Sequence, residues 1–262
     1  QPDALIIAGD IGEPLDLFHE CLALFKPVAP QRAALAGNHD VWQRGAAHTS
    51  LELWEELLEE AASLHGYAWL DRTNVVFGGL GVCGTIGWYD YSGKQPGINL
   101  SDDEYERLKP MISNDGRYVN WPWTDRQMAA RVGESFLERL MALQEDPAIS
   151  EIIIVSHVPL FDGCQRYIGD PNREIANAYY ANLSLGRRVL EAPKVRSVFS
   201  GHVHVERAVT VTRNGSTPLE VYTNPSDYGR PAALMVDTDT WAVSILRGPE
   251  PFMPNGNDDA LV

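Results

Sequence analysis

Short unbroken apolar runs alternate along the chain with longer stretches whose apolar residues recur every three or four positions. Ala4–Ala8 is an apolar run of strand length. Between residues 13 and 25, Leu15, Phe18, Leu22 and Phe25 share one helical face. Ser50 stands where it can cap a helix over residues 51–64, with Leu51, Trp54, Leu58 and Ala61 on the inner face. Residues 74–86 are β-branched and broken by glycines, as two strands and a turn would be. Thr124 is a cap for a long helix to about Gln144, striped by Met128, Val132, Phe136 and Leu140. Further strands are predicted at 33–36, 151–155, 195–199, 208–212, 219–222, 233–236 and 241–246, with a helix at 183–191. This alternation predicts a single α/β domain over residues 1–247 and an irregular tail over 248–262.

Residues 89–123 break the rhythm. They are polar, hold Gly93, Pro96, Gly97 and Pro110, and carry Tyr91, Trp121 and Trp123. The expectation is an irregular insertion that packs on the body or, after Trp88, lines or covers a site.

Composition narrows the partners. The 262 residues hold 21 basic and 36 acidic side chains, a formal net charge of −15, which speaks against coating nucleic acid or docking on an anionic membrane. A hydrophobic content of 44% is enough for a sizeable core, so wholesale disorder is excluded. No apolar run has the length of a membrane span. Cys21, Cys83 and Cys164 form no C-x-x-C pair, so neither a disulfide scaffold nor a thiolate zinc site is expected; a reducing, cytoplasmic compartment is the simpler reading.

The chemistry gathers where apolar strands stop. The first strand runs into Gly9-Asp10, the second into Gly37-Asn38-His39-Asp40, the 151–155 strand into Ser156-His157, and the 195–199 strand into Ser200-Gly201-His202-Val203-His204. In open α/β sheets, ligands sit outside the carboxyl ends of the strands. Strands running in one sense would therefore collect Asp10, Asn38, His39, His157, His202 and His204 at one edge. If His202 and His204 lie in an extended segment, both imidazoles face one side about 6–7 Å apart, which suits two metal ions better than one. Gly9, Gly37 and Gly201 would give the backbone room to turn there. His48 and His65 read as surface or helix-end residues, and His19 as structural. Arg166, Tyr167 and Arg173 follow His157; a solvated loop is the simpler reading, contact with a phosphate the other.

In this order, Gly-Asp, Gly-Asn-His-Asp, His and Gly-His-x-His resemble the calcineurin-like metallophosphoesterase superfamily. Gly84-Thr85-Ile86-Gly87-Trp88-Tyr89-Asp90 and Asn224-Pro225 are similar to two further family features. The resemblance implies a four-layer αββα sandwich, two mixed β-sheets flanked by helices. It implies that Asp10 bridges two divalent ions, that Asn38, His157 and His202 complete one site, and that His204 belongs to the other. It implies that His39 assists the leaving group, that Asp40 orients His39, and that metal-bound hydroxide attacks phosphorus in a small phosphoester. Imidazole, carboxylate and amide ligands suit Mn, Fe, Zn or Co without distinguishing them.

One family feature is missing. The pattern begins with a strand followed by Asp-x-His, which this chain lacks. Gln1 in place of Met, and abrupt entry into a core strand, point to a first strand missing ahead of Gln1. A chain that begins at Gln1 would hold one firm ion or none. A non-catalytic scaffold or binding protein on the same fold, with an incomplete metal site, is the alternative function.

Overall fold

The computed structural model describes residues 1–45, 47–165, 174–213, 215 and 217–249. Arg166, Tyr167, Arg173 and the tail from residue 250 lie outside the described residues. Eleven strands and seven α-helices follow one another among them. In chain order they are β1 (Ala4–Ala8), α1 (Leu15–Phe25), β2 (Gln31–Leu35), α2 (Ser50–Glu52), α3 (Leu58–Leu64), β3 (Ala68–Trp69), β4 (Val75–Phe77), β5 (Leu80–Thr85), α4 (Asp102–Ile112), α5 (Asp115–Tyr118), α6 (Asp125–Glu145), β6 (Glu151–Ser156), α7 (Leu183–Val189), β7 (Val195–Ser200), β8 (Arg207–Val211), β9 (Leu219–Thr223), β10 (Ala232–Val236) and β11 (Val243–Arg247). A π turn, Leu53–Leu57, joins α2 to α3.

The strands form a six-stranded sheet ordered β4-β5-β6-β7-β9-β8, a three-stranded parallel sheet β1-β2-β3 and an antiparallel hairpin β10-β11. Alternation along each strand builds the layers. Ala33 and Leu35 of β2 pack with Val82, Ile153, Val155 and Phe199 of the large sheet, and Leu234, Val236 and Val243 of the hairpin join them. On the opposite faces, Ala34, Phe18, Leu22, Leu58 and Trp69 form one outer core. Ile152 and Ile154 meet Phe136, Leu140, Leu185 and Val189 in the other. The order is therefore helices, sheet with hairpin, sheet, helices: an αββα sandwich. Phe136 and Leu140 are fully buried, each worth about 1.5–3 kcal/mol relative to exposure.

Register lines up the strand ends. Thr85 pairs with Ser156, Ser156 with Ser200, and Ser200 with Thr223, all in parallel ladders. Ala8 lies beside Leu35 in the smaller sheet. The loops that carry the chemical motifs thus leave both sheets along one rim. The outer edge of β1 has no strand partner among the described residues. A cleft of about 800 Å³ runs between β1 and the β10-β11 hairpin down to that rim.

Residues 89–123 differ from their expectation. They are irregular only in part: α4 is opened by a capping box, Ser101 with Glu104, and α5 follows it, between stretches without helix or strand. Tyr89, Tyr91 and Tyr105 are fully buried against Tyr179. Asp125 accepts from Trp88 Nε1 at 2.7 Å and Tyr91 hydroxyl at 2.7 Å, and Lys109 pairs with it inside this aromatic cluster. None of these residues lines the cleft. Instead they pack behind the rim.

Candidate metal centre

Asp10 follows β1 on a left-handed backbone, φ 53°, just after Gly9 at φ 85°. The β2 loop crosses it closely enough that a Cβ on Gly37 would fall 2.1 Å from Asp10 Oδ1. Only glycine permits that approach. Asp10 Oδ1 then accepts from the His39 backbone N–H at 3.1 Å.

His157 and His202 arrive from the ends of β6 and β7, their rings 5.0 Å apart. His157 Nδ1 lies 2.8 Å from the Ala8 carbonyl, and His202 Nε2 lies 3.3 Å from the Tyr179 carbonyl. A carbonyl can only accept, so each contact fixes the ring proton on that nitrogen. With the proton on that nitrogen, the opposite nitrogen of a neutral imidazole carries a lone pair. Those nitrogens, His157 Nε2 and His202 Nδ1, point at Asn38 Oδ1 from 2.9 and 3.0 Å. His157 Nε2 is also 3.4 Å from Asp10 Oδ1. The Asn38 amide cannot turn its hydrogens inward without losing a partner, because its Nδ2 donates to the Asp115 carboxylate at 2.9 Å.

Four lone-pair atoms from four loops therefore converge: Asp10 Oδ1, Asn38 Oδ1, His157 Nε2 and His202 Nδ1. Facing lone pairs repel, and a cation between them relieves the repulsion. The set of two imidazoles, one carboxylate and one amide oxygen suits a borderline divalent ion. Among the described residues, Asp10, His157 and His202 offer ligand atoms within 4.8 Å of one another. The residues present fit the ion that the motifs imply.

Electrostatics agree. Burial, reinforced by the neighbouring His157, pushes His202 down to about 4, so its ring is neutral near pH 7. Burial works against the Asp10 charge, but His157, His39 and His202, when protonated, outweigh it and hold that carboxyl below its ordinary value.

Four residues at the strand ends sit differently from the sequence reading. The His202–His204 segment is not extended: both residues are left-handed, at φ 67° and 51°, so the alternation argument for facing imidazoles does not apply. His204, which the resemblance assigns to the other ion, lies outside this four-atom cluster, with Nδ1 3.2 Å from Asp227 Oδ1 and its ring edge-on to Tyr228. Gly201 is not left-handed, so residues other than glycine carry the turn. Asp40 does not reach the His39 ring. Its Oδ1 accepts from the Ile11 and Gly12 amides at 2.7 and 3.0 Å, and its Oδ2 from Gly37 at 2.8 Å. It stitches the β1 loop to the β2 loop. Burial and then the nearby Asp10 charge push its carboxyl up to about 8.

His39 instead stacks on Trp42, with centroids 3.7 Å apart and planes within 22°. Its ring lines the cleft together with Asp10, His157, His202 and His204. His19 and His65 bond to each other at 3.1 Å, remote from these motifs in sequence. Sequence reasoning missed Asp115, Trp42 and the Tyr179 carbonyl. No local motif marks them; each matters through a partner distant in the chain.

A family model described as calcineurin-like phosphoesterase matches residues 1–206. The chain belongs to this family. Its members are metal-dependent phosphoester hydrolases in general, and the αββα sandwich is the family's fold. The phosphopantetheinyl hydrolase of Mycobacterium tuberculosis is similar, with 19% identity over 85% of this chain and 79% of that one, at a TM-score of 0.66. That likeness concerns the fold. A dimetal phosphatase from Danio rerio aligns at 14% identity over 84% of this chain and 86% of that one. Its TM-score of 0.36 supports no further argument. No curated protein matches the chain by sequence. No described helix is long and apolar enough to cross a membrane.

Proposed function

We propose that the chain hydrolyses small phosphoesters at a metal centre held by Asp10, Asn38, His157 and His202. The observation that carries this reading is the convergence of their lone pairs, with each imidazole tautomer fixed by a backbone carbonyl. When bound, a divalent ion of the Mn, Fe, Zn or Co kind neutralises phosphate charge and lowers the pKa of water. The protein's own residues do the rest. Asp10 supplies the anionic ligand. The β1, β2, β6 and β7 loops fix the donor geometry before any ligand arrives, so little reorganisation is needed. His39, held flat on Trp42 at the cleft, is the group that can give a proton to the leaving oxygen. The formal charge of −15 does not oppose an anionic substrate, because a bound cation dominates the local field.

For a second ion, Asp10 and His204 are the donors that the motifs leave. Two protein donors hold a divalent ion weakly against water. The second reading is a non-catalytic binding protein on the same fold, in which His204 stays with Asp227 instead of joining a second ion. Metal analysis after dialysis against each of the four ions, paired with hydrolysis of aryl phosphate mono- and diesters, separates the two. Hydrolysis that falls on His39→Ala, with metal content unchanged, supports the enzyme. One bound equivalent without hydrolysis under any of the four ions supports the binding protein.

A further inference from the structure

Asp115, the first residue of α5, is only 1% exposed and lies directly behind the metal centre. Three side chains donate to its carboxylate. Asn38 Nδ2 and Trp42 Nε1 reach Oδ1 at 2.9 and 2.6 Å, and the Tyr89 hydroxyl reaches Oδ2 at 3.0 Å. Two of these partners touch the site's chemistry: Asn38 offers its oxygen to the cluster, and Trp42 carries the His39 ring.

An amide side chain is nearly symmetric in shape and opposite in chemistry at its two ends. Left to the lone pairs of the two imidazoles, Asn38 would turn its NH2 toward them and close the site to a cation. Asp115 opposes that rotation, because its Oδ1 can only accept, and a turned Asn38 would set its own oxygen against it. We propose that Asp115 is a positioning residue that locks Asn38 with its oxygen toward the metal centre and, through Trp42, steadies His39. This rests on the metal-centre reading above. It also gives residues 89–123 a role: they act from behind the site, without entering the cleft.

The hydrogen-bond pattern separates the variants. In Asp115→Asn, one amide oxygen can still accept from Asn38 and Trp42. The new NH2 can donate to the Tyr89 hydroxyl, which turns to accept. Mn2+ affinity of the full chain, measured by calorimetry, is expected to stay within about threefold of wild type. Asp115→Leu has no acceptor and is expected to bind Mn2+ about 10–100-fold more weakly. If circular dichroism shows that the leucine variant is unfolded, Asp115→Ser carries the test. Its single short oxygen cannot span both donors, and a loss of at least about tenfold is expected. On an Asn38→Ala background, the Asp115→Leu change should cost little more, because its route is gone.

Equal Mn2+ affinity in wild type and a folded leucine or serine variant overturns the Asp115 role and leaves the metal centre standing. A loss in Asp115→Asn as large as in Asp115→Leu also overturns it. A wild-type chain that binds no Mn2+ overturns the metal-centre reading itself, and this inference with it.

Discussion

Asp71 tests whether the two sheets and the site loops are tied together as described. It is 4% exposed. Its Oδ2 accepts from the Ala36 amide at 2.8 Å and its Oδ1 from the Ile86 amide at 2.6 Å. Those amides stand at the ends of β2 and β5, one in each sheet, just before Gly37-Asn38-His39 and Gly87-Trp88-Tyr89. Asp71→Ala leaves both amides without a partner in the interior. A buried unsatisfied donor costs about 1–3 kcal/mol, so the pair costs about 2–6 kcal/mol. That is a large share of a typical stability of about 5–15 kcal/mol. For a chain of this size the melting temperature should fall by at least about 4 °C. Asp71→Asn keeps one acceptor and should lose about half as much.

The Asp71 penalty should also depend on pH, with a definite sign. Burial raises the Asp71 carboxyl above its ordinary value, against the two amides and Arg139, which lower it. A carboxyl with a raised folded-state pKa contributes its full stability below the unfolded pKa of about 4. It loses part of that contribution as pH rises through the folded value. The difference between wild type and Asp71→Ala, measured by urea unfolding, should therefore be larger at pH 4 than at pH 7. A loss below about 1 kcal/mol, or a penalty that grows toward pH 7, would refute this reasoning.

Other substitutions probe separate parts of the account. Gly37→Ala pushes a methyl against Asp10 Oδ1 and should weaken Mn2+ binding at least about tenfold, read by calorimetry. His39→Ala should lower kcat by about 10²–10⁴-fold with metal content unchanged, measured with an aryl phosphate. Asp40→Ala strands three loop amides and should destabilise the fold by about 3–9 kcal/mol in urea unfolding; an orienting role alone would alter the pH profile at unchanged stability. Lys109→Met leaves the buried Asp125 carboxylate without its cation and should cost about 3–5 kcal/mol, with Lys109→Met/Asp125→Leu recovering part of it.

Much of the fold was readable because each layer repeats its own period. The apolar run of Ala4–Ala8 and the Thr124 cap of the long helix lie where the residues place them. The small shifts have local causes: Thr49, not Ser50, closes the capping box with Glu52. The two helices of 89–123 were hidden because Asp102–Ile112 is mostly polar and holds Pro110. Its Ser101-x-x-Glu104 capping box was the available signal. In the site, residue types at strand ends were legible and their partners were not. Asp115 acts on Asn38 across 77 positions, and His157 meets the Ala8 carbonyl across 149. Asp40 sits beside His39 in sequence, yet its oxygens face backbone amides, because the short helical turn His39–Val41 points neighbouring side chains in different directions. The left-handed His202 and His204 could not be inferred from residue type, because even histidine, enriched there among non-glycine residues, adopts that conformation in a small minority of cases.

Anomalous diffraction from a crystal soaked in Mn2+ tests the central claim most directly. The expected result is one strong peak within coordinating distance of Asp10 Oδ1, Asn38 Oδ1, His157 Nε2 and His202 Nδ1, lost in His202→Ala. Those four atoms drawn together without a peak at saturating Mn2+, or peaks only elsewhere, would contradict the account.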